Sequence, residues 1–308
     1  IVGALVGIAI AFGIWKANSA LSGQKTTKPS EVTGETSIPS PQSLILSIPS
    51  LEKDSVVASS RVNLVGITKS AVLLAVVGED DETVAYADES GNFEAEVGLV
   101  AGLNDLKITA FEEDGTSIEK ILTLVYSTEI KTPTPAPTTS ISDQIRQRIN
   151  QALSKPFASI GTIADISNST LQIKTREGEI NQAIVDKENT TFARVTGKTR
   201  KTIAFGDLAI GDFVLALGYR KSESVIETLR VIASDNTPEN KRTAIFGTAT
   251  EIGSKKDQFT LKMLKNGDEL AVTDKNTKIR TSGENALERA GFDDIEDGQK
   301  VIVIGEED

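Results

Sequence analysis

The stretch Gly161-Thr-Ile-Ala-Asp-Ile166 recurs 86 positions later in this 308-residue chain, as Gly247-Thr-Ala-Thr-Glu-Ile252. Both copies also end alike, with Phe, Gly and Gly at identical spacing. The endings are Phe205-Gly-Asp-Leu-Ala-Ile-Gly211-Asp-Phe-Val-Leu-Ala-Leu-Gly218 and Phe292-Asp-Asp-Ile-Glu-Asp-Gly298-Gln-Lys-Val-Ile-Val-Ile-Gly305. A duplication of this length exceeds the period of solenoid repeats, so it predicts two copies of one small domain.

Between start and end, each copy carries matching hairpin sequences that turn at Gly178 and at Gly267. The matched segments are Leu171–Lys174 with Phe259–Lys262 and Ala183–Thr190 with Ala271–Thr277. Short strands with glycine at the corners favour a closed barrel over an open sheet. We therefore predict two tandem small β-barrels, over 156–235 and 241–308.

The shared pattern resembles an uncharacterised family of small β-barrels in bacterial envelope proteins. It consists of a Gly-x-Ile/Val start, an Asp-x-x-Thr middle and a Leu-x-x-Gly-Asp-x-Val-x-x-x-Gly ending. The resemblance runs through both copies and implies a β-barrel fold in the cell envelope. It carries no established activity with it.

The two copies differ in the residues that come after their endings. After Gly218, residues Ser224–Ile232 alternate between apolar and polar side chains, and we predict that they form the strand that closes the first barrel. The sequence continues only three residues beyond Gly305, so we expect the second barrel to be truncated and to have an open edge. Because the sequence also starts at Ile1 and not at Met, we expect a fragment clipped at both ends.

The composition excludes most familiar catalytic chemistry. The chain has no histidine and no cysteine, which removes disulfides, thiol nucleophiles, the Ser-His-Asp triad and the usual zinc and haem ligands. We therefore predict no catalytic residue and no cofactor. The net charge is -11, and residues 43–127 hold 15 acidic against 5 basic side chains. Nucleic acid is not an expected partner of so acidic a chain.

The N-terminal segment Ile1–Trp15 is apolar throughout and ends at Lys16. Trp followed by Lys is typical of a membrane interface, although a helix that crosses a bilayer needs roughly 20 residues. We interpret 1–21 as a clipped single-pass transmembrane anchor, and the alternative is a secretory signal cleaved after Ala17-Asn-Ser19. Either interpretation makes the bulk of the chain extracellular. Small residues at four-residue spacing, which would allow self-association of such helices, are Gly3, Gly7 and Ala11.

Two linkers and a helix are predicted between the domains. Residues 22–42 have the composition of a flexible linker, and 129–140 are rich in Pro and Thr, which favours extended polyproline II. Residues 141–155 predict a short amphipathic helix that either docks on the first barrel or pairs with a second chain. Its apolar positions are Ile141, Ile145, Ile149 and Leu153. We expect the domains to behave as independent units on a flexible string.

The segment 43–128 contains seven short alternating runs separated by turn residues, which predicts an antiparallel β-sandwich. The runs cover 44–48, 62–66, 72–77, 83–86, 93–97, 106–111 and 118–126. The segment resembles the bacterial immunoglobulin-like modules of surface proteins and of secreted glycosidases. The residues behind this resemblance are Val-x-Leu-x-Gly-x-Thr68, Gly91-Asn-Phe93, Leu99-Val-Ala-Gly102-Leu-Asn104 and Ala110-Phe-Glu-Glu-Asp-Gly115.

Acidic turns in the same segment are weak candidates for a calcium site, because exported domains meet calcium and its ligands are oxygens. The candidates are Glu79, Asp80, Asp81 and Asp114. None fits the EF-hand register, so solvated acidic turns are the preferred interpretation.

One basic cluster lies in the otherwise neutral first barrel, and it consists of Arg194, Lys198, Arg200 and Lys201. Such a cluster could bind an anionic polymer, such as a cell-wall glycopolymer or nucleic acid. No aromatic stacking platform accompanies it, so a solvated loop is the preferred interpretation.

The leading functional hypothesis is a non-enzymatic, membrane-anchored envelope protein that displays β modules for adhesion, spacing or scaffolding. The alternative is a binding module for cell-wall polysaccharide or another anionic envelope polymer, with a surface protein as a further possible partner. A hydrolase would need a pocket with opposed carboxylates, and the sequence does not place one.

Overall fold

β-strands make up nearly all of the regular structure in the computed structural model. It describes residues 43–130, 155–197, 199–235, 237, 239–253, 258–267, 269–273, 279–282 and 287–306. The predicted anchor at 1–21, the linker at 22–42 and the apolar positions of the predicted helix, Ile141, Ile145, Ile149 and Leu153, lie outside these residues. None of the described residues belongs to a helix that is long and apolar enough to cross a membrane. The chain is therefore mainly β, as the sequence predicts.

The first domain consists of seven strands in two sheets. The strands are β1 (Ser55–Val57), β2 (Arg61–Ile67), β3 (Leu73–Val77), β4 (Glu82–Tyr86), β5 (Asn92–Gly98), β6 (Gly102–Phe111) and β7 (Ser117–Tyr126). β2 pairs with β5, while β4, β3, β6, β7 and β1 follow one another in the other sheet. Leu64 and Phe93 of the first sheet pack against Leu74 and Ile108 of the second. The predicted strand at 44–48 is reduced to a single bridge, Ser47 to Ile67.

The first repeat consists of seven strands and one 3-10 turn at Phe205–Asp207. The strands are β8 (Pro156–Ser167), β9 (Thr170–Lys174), β10 (Ile180–Val185), β11 (Thr191–Thr196), β12 (Thr199–Thr202), β13 (Phe213–Ser222) and β14 (Val225–Ser234). Pairing runs from β8 through β9, β10, β14 and β13 and then returns to β8. β14 is thus paired within the first repeat, as predicted. The side chains inside this cycle, among them Ile163, Leu171 and Val214, are almost completely buried.

The described part of the second repeat has the same order of elements as the first repeat up to β13. Its strands are β15 (Thr243–Gly253), β16 (Gln258–Met263), β17 (Glu269–Thr273), β18 (Ile279–Ser282), β19 (Leu287–Ala290) and β20 (Lys300–Gly305), with a 3-10 turn at Phe292–Asp294. In the part of this repeat that the structure describes, β17, β16, β15 and β20 form one sheet, and β18 pairs only with β19.

The duplication is reproduced in the pairing register. Val214 lies opposite Gly161 in the first repeat, and Val301 lies opposite Gly247 in the second. The N–H groups of Gly211 and Gly298 donate to equivalent carbonyls, at 2.9 and 2.8 Å.

One part of the predicted alignment is off by a residue. Leu171 pairs with Ala183, whereas Phe259 pairs with Val272 and not with Ala271. Five residues separate the last pair of the first hairpin, Lys174 and Ile180, and six separate the last pair of the second, Lys262 and Glu269, so the register of β17 is shifted by one.

The described residues from Ser43 onward form one compact unit, so in this part of the chain the domains are not the independent units that the sequence predicts. β1 pairs with β7 on one side and with Phe157 of β8 on the other, so one sheet runs from the first domain into the first repeat. β7 and β8 therefore lie on the two sides of the same short strand. Glu129 and Ile130, predicted as linker, are part of this junction, and Ile130 is buried in it.

Both repeats dock through the same face of their own sheets. The outward side chains of β8 and β13, including Ile160 and Leu215, pack on the β1 and β7 side of the first domain. The equivalent Phe246 and Ile302 of β15 and β20 pack on β3 and β6. β3 and β6 are consequently buried on both faces, which is why β3 lacks the alternation of β2.

Candidate functional site

The basic residues of the predicted cluster lie on the hairpin of β11 and β12, and the structure divides them between two faces. Arg194 pairs with Lys201 across the hairpin, so both side chains project to one face. Arg200 pairs with Val195 and projects to the opposite face. Lys198, at the turn, lies outside the described residues. Only two of the four predicted polymer-binding residues are therefore brought together.

Arg194 is already engaged by carboxylates. Its Nη2 lies 2.6 Å from Oδ2 of Asp212 and 3.1 Å from the carbonyl of Asp207, and its Nη1 lies 3.1 Å from Oδ1 of Asp235. The hydrogen bond from this guanidinium lowers the pKa of Asp212. Two carboxylates around one guanidinium leave this spot with net negative charge, which opposes binding of an anion.

Arg200 and Lys201 differ in their partners. Arg200 lies 3.8 Å from a carboxylate oxygen of Glu129, which also pairs with Arg230. Lys201 is exposed and makes no ion pair with the residues that the structure describes. Of the predicted basic set, Lys201 is the described side chain whose charge is available to a ligand.

A shallow groove of about 400 Å³ runs along this hairpin. Its lining residues are Arg194, Thr196, Thr199, Lys201, Thr202, Ile203 and Asp207. Hydroxyl groups and one free ammonium can hydrogen-bond a hydroxyl-rich polymer. In the second repeat, Thr281 and Glu288 occupy the register positions that Arg194 and Lys201 occupy in the first. A hydroxyl and a carboxylate thus stand in place of two basic groups. The basic pair that lines this groove is therefore not repeated in the second copy.

The predicted calcium candidates do not converge. Asp81 accepts the N–H of Gly98 at 2.8 Å, and Glu79 accepts the N–H of Asp105 at 3.3 Å, so both carboxylates serve turns of the first domain. Asp114 lies in the turn after β6, beside the opposite end of β3 from Glu79 and Asp81. The described residues contain no group of three or more carboxylates that could hold a metal ion.

A buried polar junction connects the first domain to both repeats, and the sequence reasoning missed it. Asp105 is 4% exposed, and its carboxylate lies 2.6 Å from Nη1 of Arg176 in the first repeat. Thr123 donates to the same carboxylate at 2.8 Å, and Asn240, just before the second repeat, donates to the carbonyl of Asp105 at 2.9 Å. The sequence gives no signal for this burial, because Asp105 occupies a polar position of β6 together with Lys107 and Thr109. A charge buried this deeply needs a partner.

Asp54 lies at the edge of this junction, where its carbonyl accepts the N–H of Ala158 at 2.9 Å. Burial raises the pKa of its carboxyl from 3.8 to about 6, against the opposing charge of Lys53. The folded chain therefore binds this proton more tightly than the unfolded chain between these two values.

The Asp54 carboxyl makes the stability of the chain pH-dependent. Its contribution is fully present below about pH 4 and is lost as pH rises through 6, because the folded pKa exceeds the unfolded one. We expect the free energy of unfolding of Asp54→Asn, relative to that of the wild type, to rise by up to about 3 kcal/mol from pH 4 to pH 7. Urea unfolding of the full chain at both pH values measures this difference. If the free energies of unfolding of the variant and the wild type differ by the same amount at pH 4 and pH 7, the raised pKa of Asp54 is contradicted.

Comparison with the models of known protein families finds none that matches this chain, and a search of the curated proteins likewise finds no match.

Proposed function

We propose that the chain is a non-enzymatic envelope protein, in which an immunoglobulin-like sandwich and two small β-barrels form a rigid display unit behind a membrane anchor at 1–21. The anchor places the described domains outside the cell and lets chains associate through its small-residue face. The unit serves adhesion, spacing or scaffolding. The missing histidine and cysteine favour such a role over catalysis.

The observation that carries this proposal is the shared docking face of the two repeats. Both repeats bury equivalent apolar side chains, Ile160 and Phe246 among them, against one sheet of the first domain. The polar junction at Asp105 adds directional bonds to that apolar contact. A protein that sets distances at a surface needs domains held in fixed relation, and a large apolar interface is what suppresses domain motion.

Spin-label distances test the rigidity directly, and the absence of cysteine in this chain makes labelling clean. Cysteines introduced at exposed Glu89, Ser169 and Asp297 report on the first domain, the first repeat and the second repeat. We expect one narrow distance distribution for each pair between domains, no broader than for the control pair Glu89 and Lys120 within the first domain. Broad distributions between domains would contradict the proposal.

The groove beside Lys201 favours polymer binding as the second candidate function. Sedimentation with purified cell wall distinguishes this function from display. A scaffold stays in solution. If the chain sediments and Lys201→Ala releases it while Lys120→Ala does not, polymer binding replaces the display role.

A further inference from the structure

The groove along the hairpin of β11 and β12 presents its side chains in successive rows. Cross-strand pairing places Thr196 beside Thr199 at the tip of the hairpin, and Arg194 beside Lys201 in the next row. Alternation along each strand directs both rows to the face that lines the groove. Ile203 lines the groove two positions after Lys201. The groove therefore runs from two hydroxyls, past two cationic groups, to an aliphatic side chain.

One wall of this groove is a network of charged hydrogen bonds. The guanidinium of Arg194 meets both oxygens of Asp212, at 2.6 and 3.3 Å. Asp235 accepts from Arg194 at 3.1 Å and from the Thr196 hydroxyl at 2.7 Å. The hydrogen bonds from Thr196 and Arg194 lower the pKa of Asp235. The wall is thus charged and hydrogen-bonded before a ligand arrives, which reduces the ordering cost of binding.

The second repeat shows that the fold does not require this network. Thr281 occupies the register position of Arg194. Gln299 stands where the first repeat has Asp212, directly after the turn glycine. Both partners of the bidentate ion pair are thus replaced, yet the hairpin and the 3-10 turn form in both copies. The charged wall is an addition to the common fold.

The balance of charge around the groove decides which ligands it favours. The described charged side chains are two basic groups, Arg194 and Lys201, against three carboxylates, Asp207, Asp212 and Asp235. A polyanion would be repelled by this excess of negative charge. Sugar hydroxyls carry no charge, and each can both donate and accept a hydrogen bond.

Hydrogen-bonding groups of both kinds remain available in the groove. Asp207 accepts the turn N–H of Ala204 through Oδ2, and its Oδ1 makes no hydrogen bond with the residues that the structure describes. The exposed Thr199 hydroxyl and Lys201 ammonium likewise have no described partner. The volume of about 400 Å³ lies at the lower end of ligand pockets, about 300 to 1,000 Å³. It suits a short stretch of polymer.

We propose that this groove binds a short stretch of uncharged glycan. Its hydroxyls donate to Asp207 and accept from Lys201 and Thr199. The C–H face of a sugar ring lies against Ile203. The inference rests on the adhesion role of the proposed display unit, with the glycan carried by the surface to which the chain adheres. Because no ion pair forms with the ligand, salt has little effect on the affinity.

Calorimetry with the full chain tests this binding. The probes are uncharged oligosaccharides of glucose, mannose, galactose or N-acetylglucosamine, and heparin and polyphosphate represent polyanions. We expect at least one uncharged oligosaccharide to bind at millimolar concentration, with the same affinity at low and at high salt. Failure of every uncharged oligosaccharide to bind at this concentration would overturn the proposal. Salt-sensitive binding of the polyanions alone would overturn it as well.

Thr199→Val tests the position of the ligand, because it removes one hydroxyl from the groove and keeps the shape of the side chain. We expect the bound oligosaccharide to dissociate several-fold more readily. Thr191→Val is the matched control, since Thr191 is an exposed threonine of β11 that does not line the groove. Both variants should unfold in urea as the wild type does. Wild-type affinity in Thr199→Val would overturn the proposed position.

Two variants of Lys201 separate a hydrogen-bond donor from a charge. Lys201→Gln keeps a donor without the charge, and we expect it to retain the affinity within about threefold. Lys201→Met keeps neither, and we expect it to weaken binding at least about tenfold. If Lys201→Gln binds as poorly as Lys201→Met, the groove recognises a negative charge, and the uncharged ligand is refuted.

The glycan and the rigid display unit can fail separately. The spin-label distances measure rigidity without any ligand. Narrow distributions in a chain that binds no uncharged oligosaccharide would refute the glycan alone. Broad distributions in a chain that binds one would refute the rigid display unit alone.

Discussion

Replacing Gly218 by alanine should destabilise the first repeat by more than about 3 kcal/mol, because the added Cβ meets backbone that cannot move aside. That Cβ would lie 1.9 Å from the carbonyl oxygen of Glu227 and 2.8 Å from its carbon. Relief requires β13 and β14 to separate, which breaks the pairing cycle. Urea unfolding of the full chain, with hydrogen exchange to locate the loss in β13 and β14, measures the effect.

Gly206→Ala is the matched control for this change. Gly206 lies in the 3-10 turn of the same repeat, and a Cβ added there would have no heavy atom within 4 Å. We expect a change within about 0.5 kcal/mol for the control. If Gly218→Ala is as mild as the control, β14 does not approach β13 as described.

Arg176→Met should cost about 3 kcal/mol, because it removes the charge that faces the buried carboxylate of Asp105 while keeping an apolar stem. The ion pair is 2.6 Å long, and Asp105 is almost completely buried. Adding Asp105→Asn should recover most of the loss, since the amide needs no counter-charge and its oxygen still accepts from Thr123. Unfolding free energies of the single and double variants form the required cycle.

Lys53→Met is the matched control for the arginine variant. The ion pair of Lys53 with Glu177 joins the same two domains, but both side chains are largely exposed. Exposed pairs contribute at most about 1 kcal/mol. If Lys53→Met lowers the free energy of unfolding as much as Arg176→Met does, the burial of Asp105 does not determine the size of the effect.

The sequence predicts the strands well because alternation and glycine turns are local. β2 alternates strictly between exposed and buried residues, and the repeat endings keep glycine where the backbone turns. Alternation fails in β3, whose second face is covered by Phe246 and its neighbours. Burial by residues so distant in the chain leaves no periodic trace in β3 itself.

The relation between domains could not be read from linker composition. A Pro- and Thr-rich segment is extended in isolation, yet whether it separates domains depends on where its two ends attach. Here β7 and β8 both lie against β1. A three-residue strand is too short to be recognised as the element that joins two sheets.

The candidate site was predicted as a cluster of charges, and the structure shows how distant partners change it. Arg194 is paired with Asp212 and Asp235, which are 18 and 41 positions away. Runs of basic residues are visible in the sequence, whereas the carboxylates that neutralise them are brought in by β13 and β14. Lys201 alone keeps the predicted availability among the described members of the cluster.

The apolar patch on the outer face of β3 and β6 has a consequence for synthesis of the chain. Ala75, Val77 and Phe111 are covered by Ile302 and Ile304 of β20, which leave the ribosome long after β7. At 5 to 20 residues per second, roughly 10 to 40 s pass before the cover arrives. During that interval a folded first domain presents a bare aliphatic surface to its surroundings. We expect crowded production of the chain to yield aggregates that form through this face.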